Sequence, residues 1–421
     1  MRLLIHCGAL LGAVACGTAG AYPLYGSDEL DIGRVQAARL AHEGEIPGRA
    51  QVSGALLPRE QVDLRLLEQR ELELPAPDAE FTRQLAALLG NEADRYSLSV
   101  LDLSDPSAPR YAEHAGLTLR NPGSVGKIMV GLGLFQALAD AWPDDTAARL
   151  RVLRDTVVTA DEFIVHDSHT VGMWDRAARK LTRRPLEVGD RGSLLEYADW
   201  MLSASSNAAA AIVMRETMLL AQHGKQYPLD DAAARAFFQD TPKSELAGVL
   251  ERAVQAPMTR NGLDLELLRQ GSFFTRTGKQ KVPGTSSHGA TREYIRFMLR
   301  MEQGRLIDEW SSRELKRLLY MTERRIRYAS SPALRDAAVY FKSGSWYQCE
   351  PEEGFKCRKY HGNKRNLMNS IAIVEAPAGQ RTLFYLVALT SNVLRKNSAV
   401  DHQTLATRIH RLLETVHGVS K

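Results

Sequence analysis

Apolar residues form short runs bounded by turn residues near both ends of this chain. Runs of this kind, rich in strand-forming residues, predict β-strands. The predicted strands cover residues 96–103, 111–119, 338–341, 371–374 and 383–389. The last two are joined by an Ala-Pro-Ala-Gly stretch that indicates a hairpin. We therefore expect one sheet built from N-terminal and C-terminal pieces, with a helical region packed beside it.

Between these strands the apolar residues follow helical spacing. Ile128, Leu132 and Phe135 fall on one face of a helix that Asn121 can cap and Pro122 can open. Further helices are predicted from a cap at Asp78, from a capping box at residues 193–196, and over residues 208–220, 293–300 and 405–416. Residues 140–190 and 275–284 show no regular pattern and are expected to be irregular.

The first 21 residues have the composition of an export signal. A positive residue precedes a mostly apolar stretch, and a small-x-small site ends at Ala21. The alternative is a lipoprotein signal in which Cys16 becomes the lipidated first residue. The apolar stretch is too short for a transmembrane helix, and no other segment has the length for one. We therefore predict an exported, periplasmic chain with a signal peptide (residues 1–21), an extension (22–78) and one domain (79–421).

Composition and charge narrow the functional classes. The chain is 44% hydrophobic and 25% charged with a formal net charge of +4, which is ordinary for a globular protein. A basic cluster is interpreted as a solvated face; it comprises Arg176, Arg179, Lys180, Arg183 and Arg184. Because no aromatic residues interleave with a basic stripe, nucleic acid is not an expected partner.

The chain has four cysteines, two of them in the predicted signal. Cys349 and Cys357 remain in the exported chain and lie close together. In an oxidising compartment such a pair indicates a disulfide that shapes a local hairpin, the alternative being two free thiols.

Three short motifs that carry chemistry occur in order along the sequence. Ser124 and Lys127 form an S-x-x-K at the start of the capped helix. Ser205 and Asn207 form an S-x-N where a helix is predicted to end. The third motif, Lys342-Ser343-Gly344, is a K-[ST]-G that is predicted to end a strand. Each motif alone is common, but their order and context match a known catalytic set.

The spacing of the first motif suits nucleophilic catalysis. A serine hydroxyl needs a base, and Lys127 lies one helical turn from Ser124 on the same side. An ammonium group is no base, so the pKa of Lys127 must be lowered. Burial and the neighbouring cation Lys342 are both expected to lower it.

The other motif residues fit substrate binding and proton transfer. Ser205 can relay a proton to the leaving group, and Asn207 can hold Lys127 and a substrate amide. Lys342, expected at a strand end, and Ser343 can bind a substrate carboxylate, while Gly344 lets the strand approach the ligand. The backbone N–H groups of Ser124 and Ser345 are expected to form an oxyanion hole.

These motifs resemble those of the active-site serine β-lactamases and penicillin-binding proteins. The C-terminal strands and last helix look closest to class A β-lactamases, and the resemblance covers about residues 80–420. It implies an α+β, β-lactamase/transpeptidase-like fold: an antiparallel sheet flanked by helices plus an all-helical subdomain. It also implies a serine hydrolase that forms an acyl-enzyme, without metal or other cofactor.

Two departures from the class A pattern affect the function. The stretch from the first motif to the second is long, so residues 140–190 are interpreted as an insertion. The E-x-x-L-N segment whose glutamate activates the deacylating water is missing. Glu245, Glu251 and Glu266 lie in the right interval, but none is followed by Leu and Asn at the right offsets.

Three functions therefore remain open. The leading one is a class A-like hydrolase that acts on or binds β-lactams, small molecules of amide type. The second is a D-alanyl-D-alanine carboxypeptidase acting on peptidoglycan peptides, and the third is a non-catalytic penicillin-binding protein. The oligomeric state is not indicated by the sequence.

Three further features of the sequence bear on the candidate site. A run at residues 166–169 (His-Asp-Ser-His) lacks both the helical spacing of a zinc motif and a third ligand, so it is interpreted as a loop, at the surface or in the substrate cleft. Trp346 lines the cleft or packs on the core, and His288 is expected to be structural.

Overall fold

The structure is a computed structural model and describes residues 25–323 and 325–419. The predicted signal peptide, including Cys16 and Ala21, lies outside these residues. The strands are β1 (Tyr96–Asp102), β2 (Arg110–His114), β3 (Val157–Thr159), β4 (Val171–Asp175), β5 (Lys180–Arg184), β6 (Arg191–Ser193), β7 (Leu268–Arg269), β8 (His288–Gly289), β9 (Ala338–Gln348), β10 (Arg365–Ala376) and β11 (Leu383–Asn392). The α-helices are α1 (Gly33–His42), α2 (Ala79–Ala87), α3 (Lys127–Ala141), α4 (Thr146–Asp155), α5 (Leu194–Leu202), α6 (Asn207–His223), α7 (Asp231–Asp240), α8 (Lys243–Leu250), α9 (Ala256–Arg260), α10 (Arg276–Lys281), α11 (Thr291–Glu302), α12 (Glu309–Tyr320) and α13 (Ser398–Val416).

The main sheet has five antiparallel strands in the order β2-β1-β11-β10-β9. Two of its strands come from the N-terminal part of the domain and three from its C-terminal end, as predicted. The order leaves β9 at one edge. This architecture confirms the expected α+β class.

Alternating side chains place the two faces of the sheet in different hydrophobic clusters. In β10, Ile371 and Ile373 join the larger cluster, whereas Ala372 and Val374 join the smaller one. The smaller cluster is closed by residues of α2 and α13, such as Leu405. Because strand side chains alternate, a sheet covered on both faces is apolar at nearly every position.

Helix α3 is the centre of the helical half. Every one of its residues except Asp140 is buried. A helix that is apolar all round is stable only when other elements enclose it, and α5, α6, α9 and α12 do so here. Its first residue, Lys127, is therefore held in the interior of the protein.

The described part of the extension, residues 25–78, is part of the fold. Helix α1 places Arg34 in a buried ion pair with Asp199 of α5. Further along, Arg65 pairs with Glu375 of β10, which also receives the fully buried Lys316 of α12. The extension thus binds to both the helical half and the sheet.

The prediction that residues 140–190 are irregular is wrong. They form helix α4, strand β3 and the β4–β5 hairpin. The basic residues of this hairpin are mostly exposed, as expected for a solvated face, and four of them pair with carboxylates. These pairs are Arg176–Asp31, Arg179–Glu45, Arg183–Glu323 and Arg184–Asp190.

Other expected boundaries also change. Residues 275–284 contain the short helix α10, and the strand predicted over residues 111–119 ends at His114. The strand predicted over residues 338–341 continues to Gln348, because the neighbouring β10 pairs with it over the whole length. Lys342 therefore lies within a strand, not at a strand end as expected.

The predicted disulfide between Cys349 and Cys357 is confirmed. It lies in the connection between β9 and β10, where it closes a short loop. Within residues 25–323 and 325–419, no helix has both the length and the apolar character needed to cross a membrane.

Candidate active site

Ser124 lies in a single 3-10 turn, Gly123–Gly126, which leads directly into α3. The side-chain oxygen of Asn121 accepts a hydrogen bond from the Gly123 N–H, as expected for a helix start. The Asn369 amide of β10 donates to the Asn121 carbonyl at 3.0 Å. The turn that carries Ser124 is thus fastened to the sheet. Ser124 itself is half-buried.

The Lys127 amine meets three oxygen atoms. Nζ lies 2.9 Å from Ser124 Oγ, 2.8 Å from the carbonyl oxygen of Ser205 and 2.7 Å from Asn207 Oδ1. A neutral amine has two hydrogens and one lone pair. The carbonyl and the amide oxygen can only accept, so they take the two hydrogens and leave the lone pair for the Ser124 hydroxyl. The site therefore accommodates Lys127 as a base.

Burial lowers the pKa of Lys127 to about 7, while the negative charge of Asp167 partly opposes this shift. Burial disfavours the charged form of an amine because the interior solvates it poorly. Near neutral pH a substantial fraction of Lys127 is then neutral. The repulsion expected between the two lysines acts instead on Lys342, whose pKa is held well below its usual value by burial and by repulsion from Lys127 and Arg327.

The S-x-N motif forms the turn between α5 and α6. Ser205 has a φ of 62°, which is unfavourable for a residue with a side chain. Its carbonyl faces Lys127, and its hydroxyl accepts a hydrogen bond from Lys342 Nζ at 2.8 Å. Asn207 begins α6 and directs its side chain to Lys127. Asn207 thus lies against Lys127, as the sequence predicted, and Ser205 contacts both lysines, which was not predicted.

The K-S-G motif brings edge strand β9 against the serine turn. A Cβ added to Gly344 would lie 2.4 Å from the Pro122 carbonyl oxygen and 2.5 Å from the Ser124 nitrogen. Only glycine permits this approach. It also brings the Ser345 nitrogen close to the serine turn, at 3.2 Å from a Cβ added to Gly123. The two amides predicted to stabilise an oxyanion thus belong to adjoining segments.

Sequence reasoning missed Arg327. Its guanidinium donates to Ser343 Oγ at 2.8 Å, to Ser345 Oγ at 3.0 Å and to Tyr360 Oη at 3.2 Å. It lies in a 3-10 turn with a φ of 56° and is buried. No local pattern marks it, since only the tertiary structure brings it to β9. Together with Lys342 it places two basic side chains at this strand.

The Lys127 amine also packs against an aromatic ring from the segment before α10. Lys127 Nζ lies 4.8 Å from the centre of the Phe274 ring. Glu245, Glu251 and Glu266 are all exposed, and in the described part of the chain no carboxylate is hydrogen-bonded to Ser124 or Lys127.

The loop that contains residues 166–169 reaches the site. Asp167 Oδ2 accepts hydrogen bonds from Ser206 Oγ and from the N–H groups of Asn207 and Ala208. Within the described residues, no group of three or more metal-ligating side chains occurs. His288 bonds to the Leu265 carbonyl. Trp346 is exposed, with its ring 4.0 Å from the Arg365 guanidinium.

A separate cavity of about 480 Å³ lies between α1, the β4–β5 hairpin and α5, and none of the motif residues lines it. Trp174, Trp200 and Arg191 are among the residues that do.

No protein-family model matches the chain, and no curated protein matches it by sequence. Solved structures match it at low identity. A mutant of PBP-A, solved as an acyl-enzyme complex with penicillin G, is 14% identical with a TM-score of 0.52 and covers 82% of this chain and 100% of its own. A β-lactamase from Sphaerobacter thermophilus is 14% identical with a TM-score of 0.50, over 80% of this chain and 98% of its own.

A class A β-lactamase described as the last common ancestor of Gram-negative bacteria is 16% identical with a TM-score of 0.50. It covers 80% of this chain and 100% of its own. The resemblance seen in the motifs is thereby confirmed for the fold. The chain has the fold of the serine β-lactamase and penicillin-binding protein superfamily.

Proposed function

We propose that this protein is an active-site serine enzyme that is acylated on Ser124 by β-lactams and releases the acyl group slowly. One observation carries the proposal. Lys127 Nζ lies 2.9 Å from Ser124 Oγ and has two further oxygen acceptors, which can take both hydrogens of the neutral amine and leave its lone pair for the Ser124 hydroxyl. This is the arrangement that a serine nucleophile needs.

Acylation follows from this geometry. Lys127 takes the proton of the Ser124 hydroxyl as its oxygen attacks the amide carbonyl of the substrate. The N–H groups of Ser124 and Ser345 stabilise the negative charge that develops on the carbonyl oxygen. Ser205 gives its hydroxyl proton to the departing nitrogen and takes one back from Lys342, whose Nζ donates to Ser205 Oγ at 2.8 Å. The proton that Lys127 gains is thus balanced by the one that Lys342 gives up.

The cationic face of β9 gives the substrate class. Arg327 donates to the Ser343 and Ser345 hydroxyls, and the Lys342 amine bonds to Ser205 and to the Ser343 carbonyl, so an anionic group there finds two basic side chains and two hydroxyl donors. β-Lactams and peptides that end in a carboxylate both carry such a group. This supports carboxylate-bearing amides as substrates over neutral esters.

Slow release is proposed because of what faces Lys127. Hydrolysis of the ester needs a water held by a base, and a general base contributes about 10²–10⁴-fold. The group that lies 4.8 Å from Lys127 Nζ is the Phe274 ring, which cannot act as a base for this water. We expect nitrocefin to give a burst followed by a slow steady rate.

A D-alanyl-D-alanine carboxypeptidase is the second candidate, and one observation favours it. Within residues 25–323 and 325–419, strand β9 is an edge strand of the main sheet, with β10 as its one neighbour. An extended peptide can pair with such an edge and place its terminal carboxylate among the Lys342, Ser343 and Arg327 groups. The confirmed disulfide supports the proposed export to an oxidising compartment.

The test compares nitrocefin hydrolysis with D-alanine release from a pentapeptide. Ser124→Ala should abolish the burst and any D-alanine release, whereas Ser107→Ala, at an exposed turn, should change neither. Fast linear hydrolysis of nitrocefin would contradict slow release. D-Alanine release by the wild type would establish the peptidase, and no reaction with either substrate would favour the non-catalytic alternative.

A further inference from the structure

The carboxylate of Asp167 has hydrogen-bond partners on both oxygens. Oδ2 accepts from Ser206 Oγ at 2.9 Å and from the backbone N–H groups of Asn207 at 2.7 Å and Ala208 at 2.9 Å. Oδ1 accepts from the backbone N–H of His169 at 3.1 Å and contacts its ring Nδ1 at 2.6 Å. The Asp167 side chain is only 3% exposed. Buried carboxylates with this many donors are ionised.

The three donors on Oδ2 directly follow Ser205 in the chain. Ser205 supplies one acceptor to Lys127 through its carbonyl, and Asn207 supplies the other through its side chain. Ser205 also has the unfavourable φ of 62°. A backbone in such a conformation persists only where its surroundings hold it. Asp167 holds the three residues that come next.

The loop that carries Asp167 is itself fixed from the other side. Thr277 of α10 donates its N–H and its hydroxyl to the Val165 carbonyl, at 3.1 and 2.8 Å. The Thr275 hydroxyl donates to the Phe163 carbonyl at 2.6 Å. Asp167 therefore links the segment that contains Phe274 to the S-x-N turn.

We propose that Asp167 is a positioning residue, which holds the S-x-N turn so that Ser205 and Asn207 orient the Lys127 amine towards Ser124. This inference rests on the proposed function, because it explains how the proposed base, Lys127, is oriented. Asp167 lies forty positions before Asn207 in the sequence. Its place in the insertion makes that segment part of the catalytic apparatus.

Charge adds to this geometric role. Burial by itself raises the pKa of Asp167, but the hydrogen bond and charge of His169, with the backbone donors, hold it well below its usual range. The ionised carboxylate in turn opposes the lowering of the Lys127 pKa. Without its charge, the pKa of Lys127 should fall further.

Several other charged groups surround these residues. Lys342 of β9 lies on the far side of Lys127, where it bonds to Ser205. Two cations on elements that contact the loop are already paired there. They are Arg215 of α6 with Asp161 and Lys281 of α10 with Glu162.

The experiment measures the second-order rate of Ser124 acylation by a fluorescent penicillin as a function of pH. This rate reports the free enzyme, so it should rise with pH as Lys127 loses its proton. Asp167→Asn should move this rise to lower pH by about one unit, and it should lower the plateau about tenfold as the turn loosens. Asp167→Glu keeps the charge and displaces the oxygens, so it should lower the plateau without moving the rise.

The matched control is Asp161→Asn, on the same loop and paired with the same helix. This variant should leave both the plateau rate and the pH of the rise unchanged. If Asp167→Asn slows acylation equally at every pH, Asp167 is only a structural cap and the inference is wrong. If that variant does not fold, Asp167→Glu decides, since an unchanged plateau would overturn the positioning role.

A second readout separates this inference from the proposed function. The Lys127 amine can be titrated directly by NMR of isotope-labelled lysine side chains, identified by its loss in Lys127→Arg. If the wild type forms no penicillin adduct, the proposed function fails. The titration in Asp167→Asn then still decides whether Asp167 sets the state of Lys127, and an unshifted pKa would contradict it.

Discussion

Gly344→Ala tests the closest contact in the site. The added Cβ would lie 2.4 Å from the Pro122 carbonyl oxygen and 2.5 Å from the Ser124 nitrogen. Both are backbone atoms of the turn that carries the nucleophile, so no side chain can rotate away. The φ of Gly344 is not positive, so alanine can adopt the backbone conformation. The cost is therefore steric.

Two magnitudes follow from this contact. An overpacked methyl group costs about 1–3 kcal/mol of folding free energy. Relief by moving β9 outwards also withdraws the Ser345 N–H from the position of the oxyanion. Loss of one such donor slows the reaction by about 10²–10³-fold. We expect Gly344→Ala to fold and to be acylated slower by about this factor.

A matched variant separates the steric cost from the loss of the donor. In Gly133→Ala, two turns further along α3, the added Cβ would lie 2.4 Å from the carbonyl oxygen of Ala253. It should lose a similar amount of stability while its acylation rate stays near that of the wild type. Urea denaturation and the time course of fluorescent penicillin labelling measure the two quantities. Wild-type acylation by Gly344→Ala would refute the proposed approach of β9 to Ser124.

Three further predictions concern the proposed base Lys127, the missing deacylating glutamate and the N-terminal extension. The acylation rate of the wild type should rise with pH through about 7, the pKa of Lys127; a flat profile between pH 5 and 9, a range of roughly two units on each side, would exclude Lys127 as the base. Phe274→Glu, which places a carboxylate beside Lys127, should speed steady nitrocefin turnover by about tenfold or more, and an unchanged burst pattern would show that the position is wrong. Arg34→Ala removes the ion-pair partner of the buried Asp199 and should lower the free energy of unfolding, measured by urea denaturation, by about 3–5 kcal/mol. Arg39→Ala, at an exposed ion pair, should lower it by about 0–1 kcal/mol. Equal losses in the two variants would contradict the conclusion that the extension is part of the fold.

Much of the site could be predicted because its residues are encoded by local patterns. Ser124 and Lys127 are one helical turn apart, and the capping box at Ser193 and Glu196 is a short-range signal that the structure contains. The strands that form the sheet could likewise be found from apolar runs. What these parts share is that each is marked by a pattern within a few neighbouring residues, even where its partners are distant in the chain.

The residues that were missed depend on tertiary contacts. Arg327 and Phe274 come from irregular segments, and nothing in their neighbourhood shows that they meet Ser343 or Lys127. The length of β9 was underestimated because its apolar run is interrupted at residues 342–345 and its last three residues are exposed, so only pairing with β10 reveals the rest as strand. Elements such as the β4–β5 hairpin are held by ion pairs with distant residues, which periodicity does not detect.

Peptide mapping after reaction with penicillin G tests the central claim most directly. The protein is incubated at neutral pH, denatured, digested and analysed by mass spectrometry. The account predicts one penicillin adduct per chain, located on Ser124 and absent from both Ser124→Ala and unreacted protein. An adduct on another residue, or no adduct under conditions where the protein is folded, would contradict it.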